Sequence, residues 1–183
     1  MGTIHLCIAA RVLRRGGIVA YPTEGVWGLG CDPLNPYAVH RLFALKQRPM
    51  HKGLILIAHE FSALAPFLQP LTPALEKRVL PTWPGPVTWL LPCTEEAPYW
   101  LRGTHDTLAV RVTAHPAAAE LCRAFGGAIV STSANPAGRQ PARSALQVRR
   151  YFNKSAIALL PGATGTQQGP TEIREGLTGV SRR

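Results

Sequence analysis

Along the chain, short apolar and β-branched runs alternate with stretches whose apolar residues recur every three or four positions, a pattern that predicts an α/β fold. The spacing predicts a helix over Leu6–Arg15 closed by Gly16 and Gly17, then a strand over Ile18–Tyr21. A second helix follows over Pro36–Lys46, and "GLILIA" reads as a buried strand. The segments "FSALAPFL" and "TPALEKRVL" read as helical, the second with Thr72 as N-cap and Pro73 in the first turn. "VTWLL" and "TLAVRVT" read as strands, "HPAAAELCRAF" as a helix opened by Pro116, "AIVST" as a strand and "RSALQVRRYF" as a last helix. "AIALL" and "TEIRE" complete the set as short strands. Neither repeats nor a shift in composition divides the 183 residues, so one domain over 1–183 is expected, long enough to bury a core without disulfides.

Three places interrupt the regular pattern. The strand Ile18–Tyr21 runs into "PTEGVWGLG", where Gly25, Gly28 and Gly30 leave little side-chain bulk. Such a segment is either a connecting loop or a place where backbone or ligand must approach closely. In the second helix, Val39, Leu42 and Phe43 form an apolar stripe whose next position is Lys46. That lysine either snorkels from the helix end or meets a buried partner. Arg48 and Lys52 follow it across the helix-breaking Pro49, and together the three cations make a candidate anion clamp, with Arg48 supplying a planar fork. In "TLAVRVT", alternation places Leu108, Val110 and Val112 on one face and Thr107, Ala109, Arg111 and Thr113 on the other. In "AIVSTSAN", Ile129, Ser131 and Ser133 share a side, with Asn135 following at the strand exit, where α/β sheets place ligands. Each polar row also suits an edge facing solvent.

Composition adds a partner class. Twenty Lys and Arg against ten Asp and Glu give a net charge of +10 and an isoelectric point near 10.2. A chain so basic attracts polyanions such as RNA, or a highly charged substrate such as ATP. The four cysteines (Cys7, Cys31, Cys93 and Cys122) lack metal or redox spacing and read as reduced thiols. No apolar run is long enough for a membrane span, and the N-terminal segment has the wrong order of charge for a signal peptide. The six histidines show no metal-ligand spacing, and no P-loop, dinucleotide fingerprint or nucleophile elbow is present.

Taken together, "AYPTEGVWGLGCDP", "LKQRPMHKGLILIA", "WPGPVT", "LAVRVTAHP", "VSTSANPAG" and "TEIREGLTG" resemble the YrdC/TsaC family of threonylcarbamoyl-AMP synthases, in the family's order from Ile18 to Gly179. The K-x-R and S-x-N pairs, Lys46 with Arg48 and Ser133 with Asn135, are the family's mark. The chain is similar to the short, single-domain form. The resemblance implies a twisted, mixed α/β sheet curled around a large basic cavity. It implies a cytoplasmic nucleotidyltransferase making threonylcarbamoyl-AMP and pyrophosphate from L-threonine, bicarbonate and ATP, which downstream proteins use to modify tRNA. Direct tRNA binding is compatible with the charge.

By the same resemblance, Lys46, Arg48, Ser133 and Asn135 form the catalytic set. Arg48, Lys52, Thr107, Ser133 and Arg183 hold ATP, while Thr23, Arg111, Ser131 and Thr171 hold threonine. The glycines of the "PTEG" segment keep the cavity open. Mg²⁺ is expected to travel with the triphosphate, since few carboxylates are available to cage it. Glu24 and Asp32, tempting as catalytic acids, are expected to be structural or to stand behind the residues that touch substrate, because the mechanism does not require them. Ile57 departs from the longer relatives, which carry a histidine there. The alternatives are a non-catalytic module binding RNA on the basic concave surface, and an adenylating enzyme of the same fold acting on another carbamoyl group.

Overall fold

The computed structural model of the chain describes residues 2–152 and 155–182. Among these, β1 (Ile18–Pro22), β2 (Trp27–Gly30), β3 (Ile55–Ala58), β4 (Val87–Pro92), β5 (Thr107–Val112), β6 (Ile129–Ser133), β7 (Ile157–Leu159) and β8 (Glu172–Glu175) form one sheet. Its order is β7-β1-β2-β6-β3-β5-β4-β8. The pairs β1–β7, β3–β5 and β4–β8 are parallel and the remaining neighbours antiparallel, so the expected mixed α/β sheet is present. The helices are α1 (Thr3–Arg14), α2 (Pro36–Lys46), α3 (Pro73–Val79), α4 (Tyr99–Arg102), α5 (Pro116–Phe125) and α6 (Ala145–Phe152).

Period-two alternation divides the apolar side chains between two layers. Val19, Tyr21, Ile57 and Ile129 face α1 and α5, meeting Leu13, Ala118 and Leu121. Ile18, Ala20, Leu29, Leu56, Val110 and Val130 point the other way and pack with α2, α3, α4 and α6 through Leu42, Val79, Leu101 and Val148. The predicted face of Leu108, Val110 and Val112 is fully within this second layer, which leaves Arg111 and its row on the first. Helix starts follow local chemistry. Asn35 Oδ1 accepts from the Ala38 N–H at 3.1 Å ahead of Pro36, and Thr72 caps α3 ahead of Pro73.

One expectation is corrected and one open reading is resolved. "FSALAPFL" forms two 3-10 turns, Phe61–Ala63 and Ala65–Phe67, because Pro66 interrupts the α-helical hydrogen bonding of so short a run. "WGLG", which the sequence leaves open between a connecting loop and a place of close approach, is a strand: β1 and β2 form an antiparallel hairpin, with Tyr21 opposite Gly28 and Pro22 opposite Trp27. The glycines of β2 suit this place because the Tyr21 ring lies against them. A Cβ on Gly28 would come within 3.3 Å of that ring and one on Gly30 within 2.9 Å. An aromatic residue covering glycines on its neighbour supplies the packing that the glycines lack.

Candidate active site

The α1 and α5 layer covers only part of its side of the sheet. Beyond it, register places Ser131 beside Ile55, Ile55 beside Ala109 and Ala109 beside Leu90, with Ser133 beside Gly28. These residues floor a cleft of about 240 Å³, a groove of modest volume beside the large cavity expected. Thr23, Arg48, Lys52, Thr107, Arg111, Ser131, Ser133 and Thr171 all line it. Arg102 and His105 add positive or titratable groups that the sequence reading missed, and no Asp or Glu side chain lines it among the described residues. Arg183 lies outside the described residues.

Lys46 and Asn135 stand apart from this lining. Helix α2 ends on Gln47 in the left-handed conformation (φ 51°), and the Arg48 N–H returns to Phe43 O at 3.1 Å. This reversal separates the two cations of K-x-R. Lys46 stays on the buried stripe, where its amine donates to Ser133 O, to Asn135 O at 2.9 Å and towards Asn135 Oδ1 at 3.5 Å. Ser133 Oγ in turn donates to Asn135 Oδ1 at 2.6 Å. Burial, aided by the Arg48 charge, pushes the Lys46 amine down to about 8. Lys46 therefore pins the exit of β6 and so presents the Ser133 hydroxyl to the cleft. Arg48 reaches the opposite wall, where its Nη2 donates to Gly53 O at 3.2 Å.

At the far end, Arg111 projects from β5 next to Thr88 of β4, and the side chain is almost wholly buried. Its Nη1 donates to Thr171 Oγ1 at 2.6 Å and to Thr88 Oγ1 at 3.2 Å. Its Nη2 faces Glu24 Oε2 at 3.4 Å, while the buried Nε has no hydrogen-bond partner among the described residues. Burial raises the Glu24 carboxyl, but the Arg111 charge and a hydrogen bond from Thr113 outweigh it and hold the group below the usual range. Thr23, in the turn of the β1–β2 hairpin, donates its hydroxyl to Val26 O at 2.7 Å. Ile57 is fully buried beneath α5 and does not line the cleft.

The glycines of the "PTEG" hairpin serve chiefly the protein's own packing. Gly28 lines the cleft, but a Cβ on Gly25 would lie 1.9 Å from Gly169 O, and Gly30 is closed off by Val130 O and Tyr21. The segment 161–170 is stitched to the hairpin turn by Gly165 N–H to Thr23 O at 2.9 Å and Gln167 N–H to Glu24 O at 3.1 Å. It thereby delivers Pro170 and Thr171 to the cleft. Among the described residues, no group of three or more His, Cys, Asp or Glu could hold a metal ion. No helix there is long and apolar enough to cross a membrane.

Residues 11–181 match the family profile described as telomere recombination, that of the Sua5, YciO and YrdC proteins. The chain is 59% identical over 176 residues to the threonylcarbamoyl-AMP synthase of Nitrosococcus oceani, covering 96% of this chain and 95% of that protein. It is also 59% identical over 175 residues to the Halorhodospira halophila protein of the same name, covering 96% of this chain and 92% of that one. Among solved structures, P. abyssi Sua5 complexed with L-threonine superposes with a TM-score of 0.86 at 34% identity, over 93% of this chain and 50% of that chain. The present chain thus spans about half of the Sua5 structure. The match runs through every strand of the sheet and through the cleft lying on it, and the chain belongs to the Sua5/YciO/YrdC family.

Proposed function

We propose that this chain is a threonylcarbamoyl-AMP synthase, converting L-threonine, bicarbonate and ATP into threonylcarbamoyl-adenylate, pyrophosphate and water. The carrying observation is the near-full-length identity to proteins of that name, joined to a cleft that collects anion-binding and hydroxyl groups at two ends. At one end, Arg111, Thr23, Ser131 and Thr171 suit a small amino acid bearing a carboxylate and a hydroxyl. Arg111 is the planar donor for the carboxylate. At the other, Arg48, Lys52, Thr107 and Ser133 suit a polyphosphate and the nucleoside attached to it, with Arg183 an additional ATP contact by resemblance.

Threonine's amine condenses with bicarbonate, releasing water and leaving a carbamate that is already a nucleophile. A carbamate oxygen then bonds to the α-phosphorus while the bond from that phosphorus to the bridging oxygen breaks. Pyrophosphate departs with the electron pair. The step requires no strong base. It requires two anions to be held together and the charge growing on the phosphate to be met by fixed cations. Arg48 and Lys52 supply those cations, while Lys46 and Asn135 set the wall that carries Ser133. Because no carboxylate lines the cleft among the described residues, these do not form a magnesium cage, and any Mg²⁺ would be held by phosphate oxygens and water. The chain works in the cytoplasm, and its unstable acyl-adenylate passes to proteins that transfer the threonylcarbamoyl group to tRNA.

A module that only binds RNA would distribute its affinity over many cations, each contributing a similar, salt-sensitive share. The synthase reading predicts that Arg48→Ala lowers pyrophosphate release by about a hundredfold or more, as loss of one preorganised donor does, with thermal stability nearly unchanged. Steady-state turnover and a melting curve on the same preparation check this. A loss of only about twofold in a folded variant would overturn the role given to Arg48, and no pyrophosphate release from the folded wild type would favour the binding module.

A further inference from the structure

We infer that Glu24 is a positioning residue for the amino-acid end of the cleft, acting through Arg111. The inference rests on the functional reading above and extends it to a side chain that does not line the cleft. Glu24 lies behind Arg111, and both of its oxygens are committed. Oε2 faces Arg111 Nη2 at 3.4 Å. Oε1 accepts from Thr113 Oγ1 at 2.6 Å and from the Ala114 N–H at 3.3 Å. Arg111 is thus held on two sides, by Glu24 behind Nη2 and by Thr88 and Thr171 at Nη1. Among the described residues, the buried Nε has no hydrogen-bond partner. A guanidinium fixed in this way meets a carboxylate with its orientation already set, so binding sacrifices little side-chain freedom. Glu24 also balances a buried charge that would otherwise lack a counter-ion before substrate arrives.

The two anchors come from different parts of the chain, and the backbone joins them. Glu24 O accepts from Gln167 N–H, in the segment that leads to Thr171. Displacing Glu24 therefore loosens both sides of the Arg111 clamp.

A Glu24→Gln change keeps the shape but replaces one carboxylate oxygen with an amide NH₂. If the amide oxygen keeps Thr113 and Ala114, that NH₂ points at Arg111 Nη2, donor against donor. Thr113→Val is milder, leaving the charge of Glu24 in place and removing one of its holds. Titration calorimetry with L-threonine, and separately with a non-hydrolysable ATP analogue, is run on the wild type and both variants. Glu24→Gln is expected to weaken L-threonine binding by about tenfold or more, the size of one charge-assisted contact. Thr113→Val is expected to weaken it by a smaller factor, with ATP-analogue affinity unchanged in both. A merely structural role would lower both affinities together. Equal L-threonine affinity in a folded Glu24→Gln variant overturns the inference. If that variant does not fold, unchanged L-threonine affinity in Thr113→Val overturns it. A wild-type chain that binds the ATP analogue but no L-threonine overturns the functional reading as well.

Discussion

Lys46 is a lysine built into an apolar stripe, and its amine meets main-chain oxygens instead of solvent. Replacing it with methionine keeps the stem and leaves buried carbonyls without a donor, at roughly 1–3 kcal/mol for each. The pH dependence has a definite sign. Burial and the Arg48 charge move the amine from 10.5 in the unfolded chain to about 8 in the folded one. Between those values the unfolded chain holds the extra proton, so this group makes stability rise with pH. Below about 8 both states are protonated and its contribution is flat. Denaturant unfolding of wild type and Lys46→Met across that range is expected to show the wild type's advantage growing with pH. A constant difference would contradict the buried, depressed amine. The stripe position of Lys46 was legible in the sequence, because period 3.6 fixes which face it takes. Its separation from Arg48 was not, since that depends on Gln47 adopting a positive φ that glycine, not glutamine, usually signals. The partners of Glu24 were hidden for a similar reason: Arg111 and Thr113 lie far away in sequence and meet it only through the sheet.

The element that organises the Arg111 end of the cleft is the β1–β2 hairpin with the segment 161–170 laid on its turn. Gly25 sets the spacing between them, since a Cβ there would sit 1.9 Å from Gly169 O, an atom of the main chain that cannot swing away. Gly25→Ala is expected to destabilise the fold by about 1–3 kcal/mol, the range for overpacking. It is also expected to raise the KM for L-threonine more than that for ATP, because Glu24 and Thr171 part together. Steady-state kinetics with each substrate varied in turn checks the second effect, and equal changes in both KM values would contradict it. Most of the sheet was legible from short β-branched runs, including the parallel edge strands β7 and β8. Strand β2 was hidden because two of its residues are glycines, and what makes them strand residues is the Tyr21 ring across the hairpin. That packing is tertiary and leaves no local periodicity.

For the molecule as a whole, the chain's net charge of +10 and the position of the cleft bear on the same chemistry. Two helices seal one part of the sheet face, and the uncovered part gathers cations with no lining carboxylate among the described residues. Such a groove draws in anions, yet charge alone does not distinguish an enzyme from a surface that holds RNA. The likeness to named synthases does, at 59% identity over 96% of the chain, with Arg111 and the hydroxyls of Thr23, Ser131 and Thr171 gathered in one cleft. The most direct measurement of the proposed activity follows pyrophosphate release and the fate of isotopically labelled bicarbonate when the purified protein is given ATP, Mg²⁺ and single amino acids. A threonylcarbamoyl-AMP synthase is expected to release pyrophosphate only when L-threonine and bicarbonate are both present, in step with label appearing in an adenylate. Pyrophosphate released without either, or none at all from folded protein, would contradict it.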